Sequence, residues 1–502
     1  MRRTLSIAVA VAALAAVTVP GVSQADTPKA ISTSKAVTWE KCAADVGDGV
    51  PVPEGMQCGT LKVPLDYRKP DGRTIDIAVS RLPSKNAKER RGILLTNPGG
   101  PSAGLGYPAF LAAGGLPQEV KDQYDIIGFD PRGIGRSTPV TCDLTAAQQA
   151  VGNVPPYARN AADVTKRAAE VKQIAKQCTT SKSAWMLPYT STANVARDMD
   201  QIRAALGEAK ISYDGASWGT HLGAVYTTLF PEHSDRIVLD SNLAPGGWDY
   251  KGDRLYAQGF QDRFPDFAKF AAANYREYGL GRTPARVTAK YQALAARLDK
   301  KPVQGPDAEY DGSGFRMITF VSLYGGALSP WLAKAMQALD ANQAPPPFPG
   351  GGGGAKDADN LISGRYYIIC NDSRWPTSVS TYQRAVAVDR IRYPLFGAAG
   401  ANIQPCAYWP DAIEKPVRVS DDGPSNVLMV QNLRDPATPL AGAEDLRRAF
   451  GDRARIVTAD QGGHGVYPMG KNRCANNAVT SYLTTGRLPA KDYHCTAAAE
   501  PR

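Results

Sequence analysis

Ile211-Ser212-Tyr213-Asp214-Gly215-Ala216-Ser217-Trp218-Gly219-Thr220-His221-Leu222-Gly223-Ala224-Val225-Tyr226 runs from a short apolar β-type segment through Gly-x-Ser-x-Gly into a helical stretch rich in Ala, Leu and Val. Strand, tight turn and helix in that order are the setting of a nucleophile elbow. Ser217 is expected on the turn, in a backbone conformation strained for any residue with a Cβ. Gly215 and Gly219 leave room for the neighbouring chain. The turn exposes the hydroxyl, and the helix start aims backbone N–H groups at a developing oxyanion. Gly100-Pro101-Ser102-Ala103-Gly104 fits the same five-residue pattern. Leu105-Gly106-Tyr107-Pro108 after it is a poor helix start, so that copy is read as a loop.

Working outward, 60–65 and 74–82 read as early strands, and 92–96 and 124–129 as short continuous apolar strands of a sheet covered on both faces. A helix is expected over 192–206, with Val195, Met199, Ile202 and Leu206 on one stripe. A strand follows at 236–240. Alternating strands and helices define an α/β fold, a mostly parallel sheet with helices on both faces. From 245 to 415 helical patterns dominate, at 264–278, 284–298 and 331–339, as expected of a mainly helical cap inserted into the α/β core. Within it, Pro345-Pro346-Pro347-Phe348-Pro349 and the five glycines Gly350 to Gly354 read as a loose surface loop, with a hinge or entrance flap as the alternative. The α/β pattern resumes with strands at 426–431 and 455–458 and helices at 440–450 and 476–483. The expected division is therefore 1–25 leader, 26–244 first part of the core, 245–415 cap, and 416–502 remainder of the core.

A 502-residue chain can bury a large core. Residues 1–25 have the form of a signal peptide: Arg2-Arg3, an apolar stretch from Leu5 to Val19, then Ser23-Gln24-Ala25 as a small-x-small cleavage site. Secretion with cleavage near Ala25 is the expectation, and no later stretch is apolar enough to span a membrane. The eight cysteines, Cys42, Cys58, Cys142, Cys178, Cys370, Cys406, Cys474 and Cys495, then argue for four disulfides. Their number allows 105 pairings, of which the sequential one is simplest. Their spacing suggests no metal site. The formal net charge of +10 is spread without a long basic run, which argues against nucleic-acid binding. No cofactor is implied, and a monomer is expected.

A serine hydroxyl needs a base, and the chain has four histidines. His464 alone lies in a glycine-flanked loop, Gly462-Gly463-His464-Gly465, directly after a core strand. His221, His233 and His494 read as structural or surface residues. Asp435 follows a core strand 29 residues before His464 and is the expected partner of the imidazole; Asp460 is too near His464 in sequence. The order Ser217, Asp435, His464 matches the α/β-hydrolase order. The oxyanion donors are expected from the N–H of Trp218 and from Asn97-Pro98-Gly99-Gly100-Pro101, where only Gly99 or Gly100 can supply one. The 130–137 loop is expected to brace the site through Asp130 and Arg132.

These motifs together resemble the secreted bacterial tripeptidyl aminopeptidases, relatives of the proline iminopeptidases in the α/β-hydrolase superfamily. The matching stretches are Asn97-Pro98-Gly99-Gly100-Pro101, Gly128-Phe129-Asp130-Pro131-Arg132-Gly133-Ile134-Gly135, Gly215-Ala216-Ser217-Trp218-Gly219, Val238-Leu239-Asp240-Ser241, Asp435-Pro436-Ala437-Thr438-Pro439 and Gly463-His464-Gly465. The family usually has Gly at the position of Ser102 and Tyr at that of Trp218. The resemblance implies release of tripeptides from the free N-termini of peptides or proteins through an acyl-enzyme, with a cap carboxylate holding the substrate ammonium. Asp372 is the candidate for that carboxylate, with an exposed loop residue as the plain alternative. An esterase or lipase on the same triad is the competing reading, because triad and fold do not separate esters from amides.

Overall fold

The computed structural model describes residues 36–47, 49–149, 154–306, 308–349 and 357–497. The expected leader and the glycines at 350–354 lie outside them. A ten-stranded sheet organises the described residues. Its strands are β1 (Glu40–Lys41), β2 (Gln57–Pro64), β3 (Thr74–Leu82), β4 (Gly92–Asn97), β5 (Tyr124–Phe129), β6 (Ile211–Ala216), β7 (Ser234–Asp240), β8 (Val427–Arg434), β9 (Ala454–Gly462) and β10 (Tyr493–Cys495). Their spatial order is β1-β2-β3-β5-β4-β6-β7-β8-β9-β10. The pairs up to β3–β5 are antiparallel. All pairs from β5–β4 to β9–β10 are parallel.

Period-two alternation sends the strands' side chains to two separate cores. Ile93, Leu95, Ile127, Tyr213, Leu239 and Met429 pack on one face. Leu94, Ile126, Val238, Leu428 and Val457 pack on the other. The helices α1 (Tyr107–Ala113), α2 (Ala161–Thr180), α3 (Thr192–Ala205) and α4 (Trp218–Leu229) precede β7. The chain then passes through α5 (Tyr250–Ala273), α6 (Pro284–Leu298), a ribbon of Val303–Gln304 with Glu309–Tyr310, α7 (Gly312–Ser322), α8 (Ser329–Asp340), α9 (Ala358–Asp372) and α10 (Val379–Arg392) before re-entering the sheet. After β8 and β9 come α11 (Leu440–Phe450) and α12 (Arg473–Thr485) respectively. The fold is an α/β-hydrolase sheet with a helical insertion. The insertion has an aromatic centre, in which Phe396 stacks on Phe260 at 4.8 Å and on Phe320 at 5.0 Å.

Three local features differ from the reading of the sequence. A helix does begin after the Gly100–Gly104 loop, at Tyr107, because Pro108 falls in its first turn, where a missing N–H costs nothing. The helix expected over 264–278 starts at Tyr250, where the Asp249 carboxylate accepts the N–H groups of Lys251 and Gly252 at 2.9 and 2.7 Å. The proline run is anchored rather than loose. The Trp331 indole N–H donates to the carbonyls of Pro347 and Pro346 at 2.9 and 3.2 Å, and Phe348 packs edge-on against the same ring.

The cysteines pair in sequential order, Cys42–Cys58, Cys142–Cys178, Cys370–Cys406 and Cys474–Cys495. Arg132 and Asp198 form an ion pair with both side chains fully buried. Arg132 donates to both Asp198 oxygens at 2.7 and 2.6 Å and to the carbonyls of Leu65 and Tyr189, both at 2.9 Å. Tyr67 donates to Asp198 at 2.7 Å. Removing one partner strands a buried charge. Asp198→Ala is expected to lower unfolding stability by about 3–5 kcal/mol in a denaturant titration.

Candidate active site

β6 ends at Ala216 and α4 begins at Trp218, so Ser217 occupies the single residue between them. Its φ of +57° and ψ of −123° lie where a Cβ is strained. The turn holds because the Ser217 N–H donates to the carbonyl of Asp240, at the end of the neighbouring β7, at 2.9 Å. It also needs glycine beside it. A Cβ on Gly215 would lie 2.4 Å from the Tyr213 ring and 2.6 Å from the Gly219 carbonyl. The Trp218 amide opens α4, and the Trp218 side chain is buried, its indole N–H donating to the Thr192 hydroxyl at 3.2 Å.

The loop after β4 lies over this turn. A Cβ on Gly99, whose φ is +91°, would be 2.7 Å from Ser217 Cβ and 3.0 Å from the Trp218 nitrogen. The Gly99 N–H is committed to the Asn97 side-chain oxygen at 2.9 Å. Of the two glycines expected to supply the second oxyanion donor, Gly99 is therefore occupied, and the candidate narrows to Gly100. The carbonyl of Gly100 accepts a hydrogen bond from Arg365 on α9, so the insertion reaches this loop directly.

β9 ends at Gly462 and delivers His464 to the same edge. The His464 N–H donates to the Tyr324 carbonyl at 2.9 Å, and its ring meets the Tyr324 ring edge-on. The Asn432 side chain straddles the loop, donating to the carbonyls of Gly463 and Gly465, both at 3.0 Å. His464 Nδ1 lies 3.0 Å from each oxygen of Asp435. Asp435 is fully buried, and one of its oxygens accepts the N–H groups of Ala437 and Thr438, both at 2.9 Å. With Nδ1–H donating to the carboxylate, Nε2 carries the lone pair. Among the described residues neither Nε2 nor the Ser217 hydroxyl makes a hydrogen bond. Such a pair commonly closes only with substrate bound.

Burial alone would push the imidazole pKa down. The charge and hydrogen bond of Asp435, with the charge of Asp240 behind them, outweigh burial and leave it above its ordinary 6.5. A base must be neutral to accept a proton, so a raised pKa keeps it protonated to higher pH. The acid limb of kcat/KM is accordingly expected to titrate above pH 6.5.

The other histidines are engaged differently. Burial pushes His221 down to about 4. His233 Nδ1 is 2.7 Å from Asp200, and His494 Nδ1 is 3.1 Å from the Thr458 hydroxyl. Asp460 pairs with Arg434 at 2.6 Å rather than with His464. Asp130 accepts the N–H groups of Gly104 and Leu105, both at 2.9 Å, and so braces the loop after β4. Asp372 sits at the end of α9 and accepts both the N–H and the hydroxyl of Thr192, at 2.7 and 2.6 Å. Burial pushes its carboxyl up to about 7. It lines a cavity of about 350 Å³ together with His221, Asp249 and Ser373, and neither Ser217 nor His464 is in that wall. The reading of the sequence missed Tyr324, Asn432 and Arg365. Of these only Asn432, three residues before Asp435 on the same strand end, carried a positional signal.

A strained serine at a strand-to-helix turn, with the Trp218 amide next to it, and a histidine held on a buried aspartate are the parts of a serine hydrolase of the α/β-hydrolase class. The profile of the TAP-like protein family matches residues 393–495. Over 482 residues the chain is 36% identical to the tripeptidyl aminopeptidase of Streptomyces lividans, covering 93% of this chain and 88% of that one. It is 30% identical to the serine protease Hip1 of Mycobacterium tuberculosis, covering 91% of each. It is 31% identical to the carboxylesterase B of Mycobacterium tuberculosis, covering 95% of this chain and 92% of that one. The chain belongs to the tripeptidyl aminopeptidase family and is an enzyme, a serine hydrolase of that type.

Proposed function

We propose that this enzyme is a secreted serine exopeptidase that releases tripeptides from free N-termini. The observation that carries the chemistry is the two-oxygen grip of buried Asp435 on His464 Nδ1, which leaves Nε2 as the base. Ser217 Oγ attacks the scissile carbonyl as Nε2 takes its proton. The amides of Trp218 and Gly100 receive the oxyanion. Collapse breaks the C–N bond, and the imidazolium returns the proton to the departing amine. Water, deprotonated by the same imidazole, then releases the tripeptide and restores Ser217. The likeness to the Streptomyces lividans enzyme supports the tripeptide unit. Export is supported by the four disulfides; an N-terminus beginning at Asp26 in protein recovered from the culture medium is the check.

Recognition of a free N-terminus requires a carboxylate, and Asp372 is the candidate. The resemblance to the family is what supports the choice: both Asp372 oxygens accept from Thr192, and the cavity it lines with Asp249 has neither Ser217 nor His464 in its wall. The deciding measurement compares tripeptide anilides with and without N-acetylation. Acetylation is expected to cost roughly ten- to a hundredfold in kcat/KM, the worth of a hydrogen bond between charged groups. Asp372→Asn should erase that difference, whereas equal turnover of blocked and free peptides by the unmodified enzyme rules the exopeptidase out. The likeness to carboxylesterase B favours a second reading, an ester hydrolase on the same triad. Faster turnover of p-nitrophenyl esters than of anilides with the same acyl group would select it.

A further inference from the structure

We infer that Asp240 is a positioning residue of the reaction, holding the nucleophile with its main chain and the base-bearing loop with its carboxylate. The inference rests on Ser217 and His464 being nucleophile and base. The Asp240 carbonyl accepts the Ser217 N–H at 2.9 Å. Its side chain turns the other way. One carboxylate oxygen accepts the Val466 N–H at 2.9 Å, and the other accepts the N–H groups of Val466 and Tyr467 at 2.9 and 2.7 Å. The Ser241 hydroxyl donates to Asp240 at 3.1 Å and accepts the Gly465 N–H at 2.9 Å. Three successive amides after His464 thus end on two adjacent residues at the tip of β7.

Ser241 reaches its place with φ at +61°, a strained value for a residue with a side chain. Asp240 and Ser241 are at most 1% exposed, so water does not substitute for these bonds. The Ser217 turn and the three amides after His464 are thereby tied to one strand tip, in addition to the holds that Asn432 and Tyr324 place on the same loop. A displacement of about 1 Å between reacting groups can cost on the order of a hundredfold in rate.

Burial pushes the Asp240 carboxyl up to about 6, so above that pH it places a second anion behind His464. The groups facing the imidazole are Asp435 from the loop after β8, Asp240 from β7, and Tyr324 from the insertion. Arg263 interacts electrostatically with Asp435. Asp214 and Tyr107 interact electrostatically with Asp240. Asp435 grips the imidazole itself, whereas Asp240 joins charge to a hold on the main chain of the loop.

Asp240→Asn keeps the size of the side chain, removes the charge, and turns an amide NH₂ toward backbone N–H donors that need an acceptor. Initial rates on a tripeptide anilide across pH should show kcat down roughly ten- to a hundredfold, KM within about twofold, and the acid limb moved to lower pH as the imidazole loses a neighbouring anion. Ser241→Ala removes the Gly465 tether and leaves the charge. It should lower kcat at least about fivefold and leave the acid limb in place. His464→Ala is the control. Should His464→Ala keep the full rate, the triad itself is wrong and the inference falls with it. Should His464→Ala be inactive while folded Asp240→Asn keeps the wild-type kcat and acid limb, the role of Asp240 alone is overturned. If Asp240→Asn does not fold, Ser241→Ala decides: a reduced kcat at unchanged KM upholds the inference, and a wild-type kcat overturns it.

Discussion

Ser217→Ala should lower kcat on a free-amine tripeptide anilide by roughly 10⁵- to 10⁶-fold while leaving the protein folded. The two hydroxyls nearest in sequence to the site's turns are already engaged. Ser102 is committed to the Gly99 carbonyl at 2.9 Å, and Thr220 to the Ser217 carbonyl at 2.6 Å. The change removes one oxygen and touches neither the Trp218 amide nor the loop over it. It also relieves no strain, because alanine keeps the Cβ that makes a φ of +57° unfavourable. KM should therefore stay near the wild-type value, and a residual rate above that of water should persist from the oxyanion amides and binding alone. Kinetics with a fluorophosphonate titration of active sites would check both points. A variant retaining even a tenth of the activity would place the nucleophile elsewhere.

Asp435→Asn should cost on the order of 10⁴-fold in kcat, almost as much as losing the nucleophile, despite a nearly identical shape. The carboxylate is an acceptor only, so it selects the Nδ1–H form of His464 and leaves Nε2 basic. An amide can turn its NH₂ toward Nδ1. That traps the proton on Nε2, where it blocks acceptance of the serine proton. The retained oxygen still receives the N–H groups of Ala437 and Thr438, so folding should suffer little. The double variant with Ser217→Ala should be no slower than Ser217→Ala alone, since the members act as one unit. Multiplicative losses would show that Asp435 acts apart from the serine.

What the sequence made legible follows from where its unusual residues fall. Glycines at Gly215 and Gly219 around one serine, between an apolar strand and an apolar helix, admit few other readings. With four histidines, only His464 sits at a strand end among glycines. The α/β sheet was legible because the strands from β4 to β9 are short apolar segments covered on both faces. Helix α9 was not, since from Ile362 to Asn371 every residue is buried and no polar stripe marks its period. Nor was the start of α1, because Gly106 and Pro108 look like breakers until the proline is seen in the first turn. Within the site, the missing information was about partners. Nothing local to Gly99 says that Asn97 claims its amide, nothing local to Asp372 says that it caps Thr192, and Asp240 reads as an ordinary strand-end acid. Such bonds join residues brought together by the sheet order, which the chain does not spell out in any one stretch.

The sequential pairing of the cysteines bears on how this molecule is made. The bridges join residues 16, 36, 36 and 21 positions apart, and no two of the closed loops overlap. On the proposed export, a polypeptide emerging amino end first into an oxidising space presents both halves of each bridge before the next pair arrives. At every stage the thiol a cysteine meets is its own mate. Correct cross-linking can then proceed in step with delivery, with little need for an isomerase to undo errors.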